Sequence, residues 1–177
     1  MQVELKHIKG GLLEQEYTCD PADFPDLAVA TTKSSATYRG PVEIRLRFRQ
    51  AARMVEVEGD LRATLVMACG RCLAVFEREL SEQIVMTFVP DDREDDTVAE
   101  RELERHELGM IPYRDDCLEL LAPLQEQLVM AVPIRALCTE DCRGLCPLCG
   151  ADKNLSSCDC DRIPFNSKFG VLAKLKK

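Results

Sequence analysis

Ten cysteines stand at positions 19, 69, 72, 117, 138, 142, 146, 149, 158 and 160. Six of them crowd into residues 138–160, CTEDCRGLCPLCGADKNLSSCDC. A buried free cysteine behaves as a small hydrophobe, but the Asp, Glu, Arg and Lys around these six do not make a core. The chemistry that fits is metal ligation. Zinc takes four ligands tetrahedrally and favours thiolates in structural sites. Cys146-Pro147-Leu148-Cys149-Gly150 is the most specific piece, since a C-x-x-C pair on a tight turn can aim two sulfurs at one ion. Cys158 and Cys160 follow it, and Cys138 and Cys142 precede it.

Cys69-Gly70-Arg71-Cys72 is a second C-x-x-C. It could be a redox dithiol, but such motifs sit at helix N-termini, where the dipole lowers the thiol pKa. Strand-like LAVFEREL follows here, so metal ligation is the better reading. Eight cysteines suit two four-ligand sites. The preferred partition joins Cys69 and Cys72 with Cys138 and Cys142, and groups Cys146, Cys149, Cys158 and Cys160 apart. The rival is a single site drawn from Cys142, Cys146, Cys149 and Cys158, with Cys69 and Cys72 elsewhere. One or two structural Zn2+ ions are thus expected. In small zinc peptides such an ion contributes about 10–16 kcal/mol of apparent binding energy, so the segment should depend on it for folding. Cys19 and Cys117 stand alone and read as packing or inert thiols. His7 and His106 are not spaced to share a metal.

No catalytic residue is assigned. The chain lacks G-x-G-x-x-G, G-x-x-x-x-G-K-[ST] and G-x-S-x-G, and no cysteine pairs with a histidine as nucleophile and base. All-cysteine zinc sites usually close, whereas a catalytic zinc keeps an open position. A zinc-dependent or thiol-redox enzyme, or a zinc-stapled transcription or protein-interaction module, are the competing classes. The net charge of −8 argues against indiscriminate nucleic-acid binding. No stretch approaches the roughly 20 apolar residues of a membrane span, and MQVELKHIKG lacks a signal-peptide core, so a soluble, cytoplasmic protein is expected.

Alternating patterns supply the scaffold. In residues 42–50 Ile44, Leu46 and Phe48 face one way and Arg45, Arg47 and Arg49 the other, as in a half-buried strand. Val55 and Val57 alternate with Glu56 and Glu58 in residues 53–60. A hairpin turning at Ala51-Ala52 would set Phe48 opposite Val55, Leu46 opposite Val57, Arg47 opposite Glu56 and Arg45 opposite Glu58. Residues 61–69 read as a third strand and 73–89 as one long or broken strand. The first 40 residues carry loop signals at Gly10-Gly11 and Pro21 to Pro25, and 31–40 reads as loop or edge strand. Residues 119–132 read as a helix with Leu121, Leu124, Leu128 and Val132 on one face, Pro123 in its first turn and Pro133 at its exit. The expected fold is α+β: an antiparallel sheet packed by one main helix, with a C-terminal cysteine-rich zinc-binding segment. The expected organisation is a mainly antiparallel β region over 1–90, an acidic connector over 91–115, and helix, zinc-binding cysteine segment and basic tail over 116–177, this last part read as one integrated domain with the sheet. Residues 91–107 hold nine acidic and three basic residues and read as a solvated connector.

The tail, DRIPFNSKFGVLAKLKK, sets Arg162, Lys168, Lys174, Lys176 and Lys177 against Asp161. Phe165 and Phe169 are interleaved, and aromatic rings can stack on unpaired bases while lysines meet phosphate. Phe165, Phe169, Leu172 and Leu175 also fit one face of a short helix, so packing is read for the apolar residues and RNA or partner contact for the cations.

Four stretches together resemble the YceD family, bacterial and plastid proteins of large ribosomal RNA subunit accumulation. They are Cys69-Gly70-Arg71-Cys72-Leu73, Gln125-Glu126-Gln127-Leu128 with Val132-Pro133, the segment Leu137-Cys138 to Cys160, and FGVLAKLKK at 169–177. In that segment Gly144-Leu145-Cys146-Pro147-Leu148-Cys149-Gly150 and Asn154-Leu155 carry the likeness. It covers roughly residues 40–177. The resemblance implies a non-enzymatic role in synthesis, processing or stability of 23S rRNA. The implied partner is a large-subunit rRNA precursor or ribosomal protein, with no membrane and no small-molecule substrate.

Overall fold

A computed structural model describes residues 1–27, 36–91 and 109–160. The strands are β1 (Gln2–Glu4), β2 (Leu12–Cys19), β3 (Ala36–Ala51), β4 (Met54–Ala68), β5 (Val75–Pro90), β6 (Met110–Tyr113) and β7 (Cys117–Glu119), followed by helix α1 (Leu121–Ala131). The chain divides into two compact units, one of Met1–Met67 with Glu77–Ile134 and one of Ala68–Phe76 with Arg135–Lys177. Among the described residues no helix is long and apolar enough to cross a membrane.

The first unit is a five-stranded sheet in the order β2-β3-β4-β5-β6, beside the small pair β1-β7. Period-two alternation decides its faces. Val42, Ile44, Leu46 and Phe48 of β3, Val55, Val57 and Leu61 of β4, and Ile84, Met86 and Phe88 of β5 are buried in one cluster with Leu118, Leu120, Leu124 and Leu128. Each fully buried side chain of this size contributes about 1.5–3 kcal/mol. Helix α1 adds Leu124 and Leu128 to that core, with Pro123 tolerated in its first turn. Gln125, also buried, accepts a hydrogen bond from the Asp26 N–H at 3.0 Å and donates to the Asp26 carboxylate. It thereby ties the Pro21–Leu27 stretch to the helix. The Tyr38 hydroxyl donates to the Leu128 carbonyl at 2.7 Å.

Three sequence expectations are corrected here. Residues 53–60 and 61–69 form one strand, β4, because the inward positions 55, 57, 61, 63, 65 and 67 keep a single parity throughout. The hairpin turns at Ala52-Arg53, setting Phe48 opposite Val57, Leu46 opposite Gly59, Arg47 opposite Glu58 and Arg45 opposite Asp60. That is a slip of two residues from the expected register. A slip of two preserves both faces, so apolar still meets apolar and Arg still meets acid. Ala52 takes φ 53°, the left-handed value that the first residue of a tight two-residue loop requires. Finally, β6 joins β5 in parallel, Thr87 opposite Met110, whereas β1 with β7, β2 with β3 and β3 with β4 pair antiparallel. A parallel neighbour needs a long return connection, and the acidic segment provides it. Residues 92–108 of that segment lie outside the described residues.

The polar face is neutralised from both sides. Arg45 meets Glu16 at 3.2 Å, Arg47 meets Glu14 at 2.8 Å and Arg49 meets Glu56 at 3.4 Å. Glu14 and Glu16 belong to β2, a strand in a segment whose loop signals gave no hint of it. These exposed pairs add little stability, but they leave the arginine row a poor phosphate contact. Cys19 is buried at the end of β2 as a core residue.

Candidate metal centres

Both cysteine clusters belong to the second unit, and each is built on a turn of the same design. At the end of β4 the chain turns through Cys69-Gly70-Arg71-Cys72, with the Leu73 N–H bonding the Cys69 carbonyl at 2.9 Å and Leu73 at φ 63°. In Cys146-Pro147-Leu148-Cys149 the Gly150 N–H bonds the Cys146 carbonyl at 2.9 Å and Gly150 sits at φ 75°. The left-handed residue after each pair suits glycine at 150 and strains leucine at 73.

The eight sulfurs gather as Cys69, Cys72, Cys138 and Cys142 in one cluster and Cys146, Cys149, Cys158 and Cys160 in the other. Within each, all four sulfurs lie within 4.8 Å of one another. In the first, Cys69 Sγ is 3.7 Å from Cys142 Sγ, and Cys72 Sγ is 3.6 Å from Cys138 Sγ. A zinc–sulfur bond of about 2.3 Å in a tetrahedron places sulfurs about 3.8 Å apart. A disulfide would bring two of them to about 2.05 Å, and all ten cysteines are free. The donor sets therefore fit a four-coordinate soft cation.

Backbone N–H groups prepare one sulfur per cluster for ionisation. Those of Cys72 and then Cys138 hold the Cys69 thiol down to about 6, with burial opposing them. Those of Cys149 and Leu148 hold Cys146 down to about 6. The neighbouring thiols move the other way. At Cys72 the Ala74 N–H lowers the pKa, but burial and the sulfurs of Cys69, Cys138 and Cys142 outweigh it and push the thiol up to about 12. Burial and the Cys142 sulfur raise Cys138. The Cys146 sulfur raises Cys158, and the Cys149 sulfur first among several causes pushes Cys160 up to about 12. Several thiolates this close repel, and a divalent cation at their centre would reverse that cost.

Three residues that sequence reasoning gave no role hold the first cluster in place. The Arg71 guanidinium donates to the carbonyls of Cys142 at 2.7 Å and Glu140 at 3.3 Å. Asn154 Nδ2 donates to Cys142 Sγ at 3.4 Å while its Oδ1 accepts from the Arg143 N–H at 2.7 Å. Gly144, at φ 70°, lets the backbone pass against Arg71, where the Leu145 N–H reaches the Arg71 carbonyl at 3.1 Å. Arg71 and Asn154 fall in the stretches that carry the family likeness, which was the available signal. Arg162, Lys168, Lys174, Lys176 and Lys177 lie outside the described residues, as do His106, Phe165 and Phe169.

Fold and site together define a mixed α+β protein, mostly sheet with one main helix, whose C-terminal cysteine clusters could hold metal. The chain belongs to the YceD family: the family model "Large ribosomal RNA subunit accumulation protein YceD" matches residues 57–176, from within β4 through all eight clustered cysteines. It is similar to the chloroplast protein "Large ribosomal RNA subunit accumulation protein YCED homolog 1" of Arabidopsis thaliana, with 23% identity covering 90% of this chain and 52% of that one. It is also similar to uncharacterized proteins of Mycobacterium tuberculosis and Mycobacterium bovis, each 29% identical over 110 residues, 62% of this chain and 50% of theirs. The chain thus spans about half the length of the curated relatives it matches. No solved structure matches it.

Proposed function

We propose that this protein is a non-enzymatic factor of large-subunit biogenesis, supporting synthesis, processing or stability of 23S rRNA in the cytoplasm. In this reading each cysteine cluster holds one structural zinc ion, and the ions shape the module that meets a large-subunit rRNA precursor or a ribosomal protein. The observation that carries it is the family match across both clusters. The donor sets support it as well, since four thiolates fill a tetrahedral zinc and leave no position for substrate. Cations of the tail, Arg162, Lys168, Lys174, Lys176 and Lys177, are the residues proposed to reach RNA or partner. The ion-paired arginines of the sheet are poorly suited to that task.

Depletion in the host cell tests the reading. Expected are a fall of 23S rRNA relative to small-subunit rRNA and large-subunit precursors that co-sediment with the protein. Complementation by a Cys69→Ser/Cys72→Ser variant should fail. Unchanged rRNA and subunit profiles after depletion would remove the proposal. Metal analysis of protein isolated under reducing conditions should give two zinc ions per chain. Alkylating reagents should leave Cys69 and Cys72 unmodified, whereas a redox dithiol there would react.

A further inference from the structure

The two clusters share one design but not one exposure. In the first, Cys69 is 0% exposed, Cys142 2% and Cys72 7%, with Cys138 half-buried. In the second, Cys146 is buried and Cys158 half-buried, whereas Cys149 and Cys160 are both exposed. The clusters differ also in what they hold. The first joins chain segments 66 and 73 residues apart, in the pairs Cys72 with Cys138 and Cys69 with Cys142. The second closes only the local loop from Cys146 to Cys160. Its other ties stay within residues 142–160: the Cys146 N–H to the Ala151 carbonyl at 2.7 Å, the bridge of Leu145 with Asp152, and Asn154 to the Cys142 sulfur at 3.4 Å and the Arg143 N–H at 2.7 Å.

We infer that Cys149 and Cys160 form an oxidation site. Hydrogen peroxide converts them to a disulfide and so discharges the second cluster while the first keeps its ion. The inference rests on the reading that both clusters hold zinc. Access selects the pair, since thiolate oxidation follows exposure and a neighbouring resolving cysteine. The sulfur of one member attacks the peroxide and the O–O bond breaks. This leaves a sulfenic acid and a hydroxide that takes up a proton to become water. The sulfur of the second member displaces the sulfenic hydroxyl, the S–S bond forms, and a second proton completes a second water. Two electrons pass from the two sulfurs to the two peroxide oxygens. Two of four ligands are lost, and Cys146 and Cys158 alone no longer make a closed site. Their sulfurs, with the 146–160 loop, are freed together with the cation. Because the first cluster carries the long-range ties, it keeps its ion; the loop loosens together with the Asn154 contact to the Cys142 sulfur, and the change reverses on reduction in the presence of zinc.

The test uses the full zinc-loaded chain, dilute hydrogen peroxide, a chromogenic zinc chelator and non-reducing peptide mapping. The expected result is release of about one of the two zinc equivalents, with Cys149 linked to Cys160 and the cysteines of the first cluster still protected from alkylation. A Cys160→His variant retains a zinc ligand but cannot form the disulfide. Measured against its own zinc content before treatment, it should lose zinc more slowly than the unmodified chain. Release of both ions at one rate, earlier loss from the first cluster, a disulfide elsewhere, or release from Cys160→His as fast as from the unmodified chain would overturn the inference and leave the biogenesis role standing. Protein isolated without two zinc ions would overturn the zinc reading itself.

Discussion

Adding one methyl group at Gly144 should weaken metal binding at the first cluster far more than at the second. Gly144 has φ 70°, and an L-residue in that region costs about 1–2 kcal/mol. The new Cβ would also lie 2.9 Å from the Arg71 carbonyl oxygen and 3.2 Å from the Arg71 Cβ. Arg71 cannot retreat freely, because its guanidinium holds the Cys142 and Glu140 carbonyls. Backing away lengthens the Leu145 N–H to Arg71 carbonyl bond, worth about 0.5–1.5 kcal/mol. The sum is about 1.5–3.5 kcal/mol, or about 10- to 400-fold in affinity, because folding and metal binding are coupled in such modules. Gly150→Ala is the control. Gly150 has φ 75°, and a methyl group added there would meet nothing within 4 Å. Only strain remains, about tenfold and at the second cluster. The assay raises the concentration of a competing chelator and follows alkylation of 69, 72, 138 and 142 separately from that of 146, 149, 158 and 160. Equal weakening of both clusters by both variants, or no effect of Gly144→Ala, would refute the reasoning.

Gly59→Ala should destabilise the sheet unit. Its Cβ would fall 1.9 Å from the Arg45 carbonyl oxygen and 2.9 Å from Leu46, so β3 and β4 must part. A loss of about 3 kcal/mol is expected, which lowers the melting temperature by about 6–12 °C in a thermal scan. An unshifted scan would mean that the strands do not approach so closely. Gln125→Leu keeps the helix but deprives the Asp26 N–H of its acceptor, costing about 1–3 kcal/mol. Denaturant titration should show it, and a neutral variant would deny the tie between Asp26 and the helix. Proton release on zinc loading reports the sulfurs directly. With thiols held near 6, Cys69 and Cys146 are about nine-tenths ionised at pH 7. Loading there should free fewer than eight protons, counted with an indicator dye, and more at pH 5. The sign follows: acid must reprotonate those two thiolates, so affinity falls more steeply below about pH 6 than above it, whereas thiols of ordinary pKa would show the full slope already at about pH 7. Proton release independent of pH would contradict it.

Much of this architecture is written in residue parity. Ile44, Leu46 and Phe48 announce β3, and the odd positions from Val55 to Met67 announce β4 as one strand, although Gly59-Asp60 looks like a break. Hairpin register is less legible because slips of two leave every facing pair chemically equivalent; the turn decides, and Ala52 is an unusual residue for it. In β2, LLEQEYTC, the alternating Glu14 and Glu16 match the Arg45 and Arg47 opposite them. They signal a strand only once the partner strand is known. The grouping of the eight cysteines can be argued from spacing but not settled there, since it depends on where the turn after β4 brings Cys69 and Cys72. Arg71 and Asn154 carry no chemistry of their own in the sequence, because their work is hydrogen bonding to carbonyls and a sulfur that only the folded turn presents.

The second unit inverts the usual placement of residues. Its buried cluster consists of Cys69, Cys72 and Cys142, with Phe76, Leu137, Cys138 and Leu145 packed around them. Leu73, Val75, Leu148 and Leu155 are left exposed. The unit, residues 68–76 and 135–177, is well under the roughly 70–80 residues below which a single apolar core rarely suffices and metals, disulfides or oligomerisation are usual. Disulfides are absent among its cysteines. Had apolar burial been the organising force, the four leucine and valine side chains would be inside and the thiols interchangeable with alanine. Instead sulfur occupies the centre, N–H groups are aimed at it, and one residue, Leu73, is held in a strained conformation to complete the turn. Backbone strain and clustered thiols are both unfavourable without a cation to bind, which is the arrangement expected of a sequence that folds around the proposed ions.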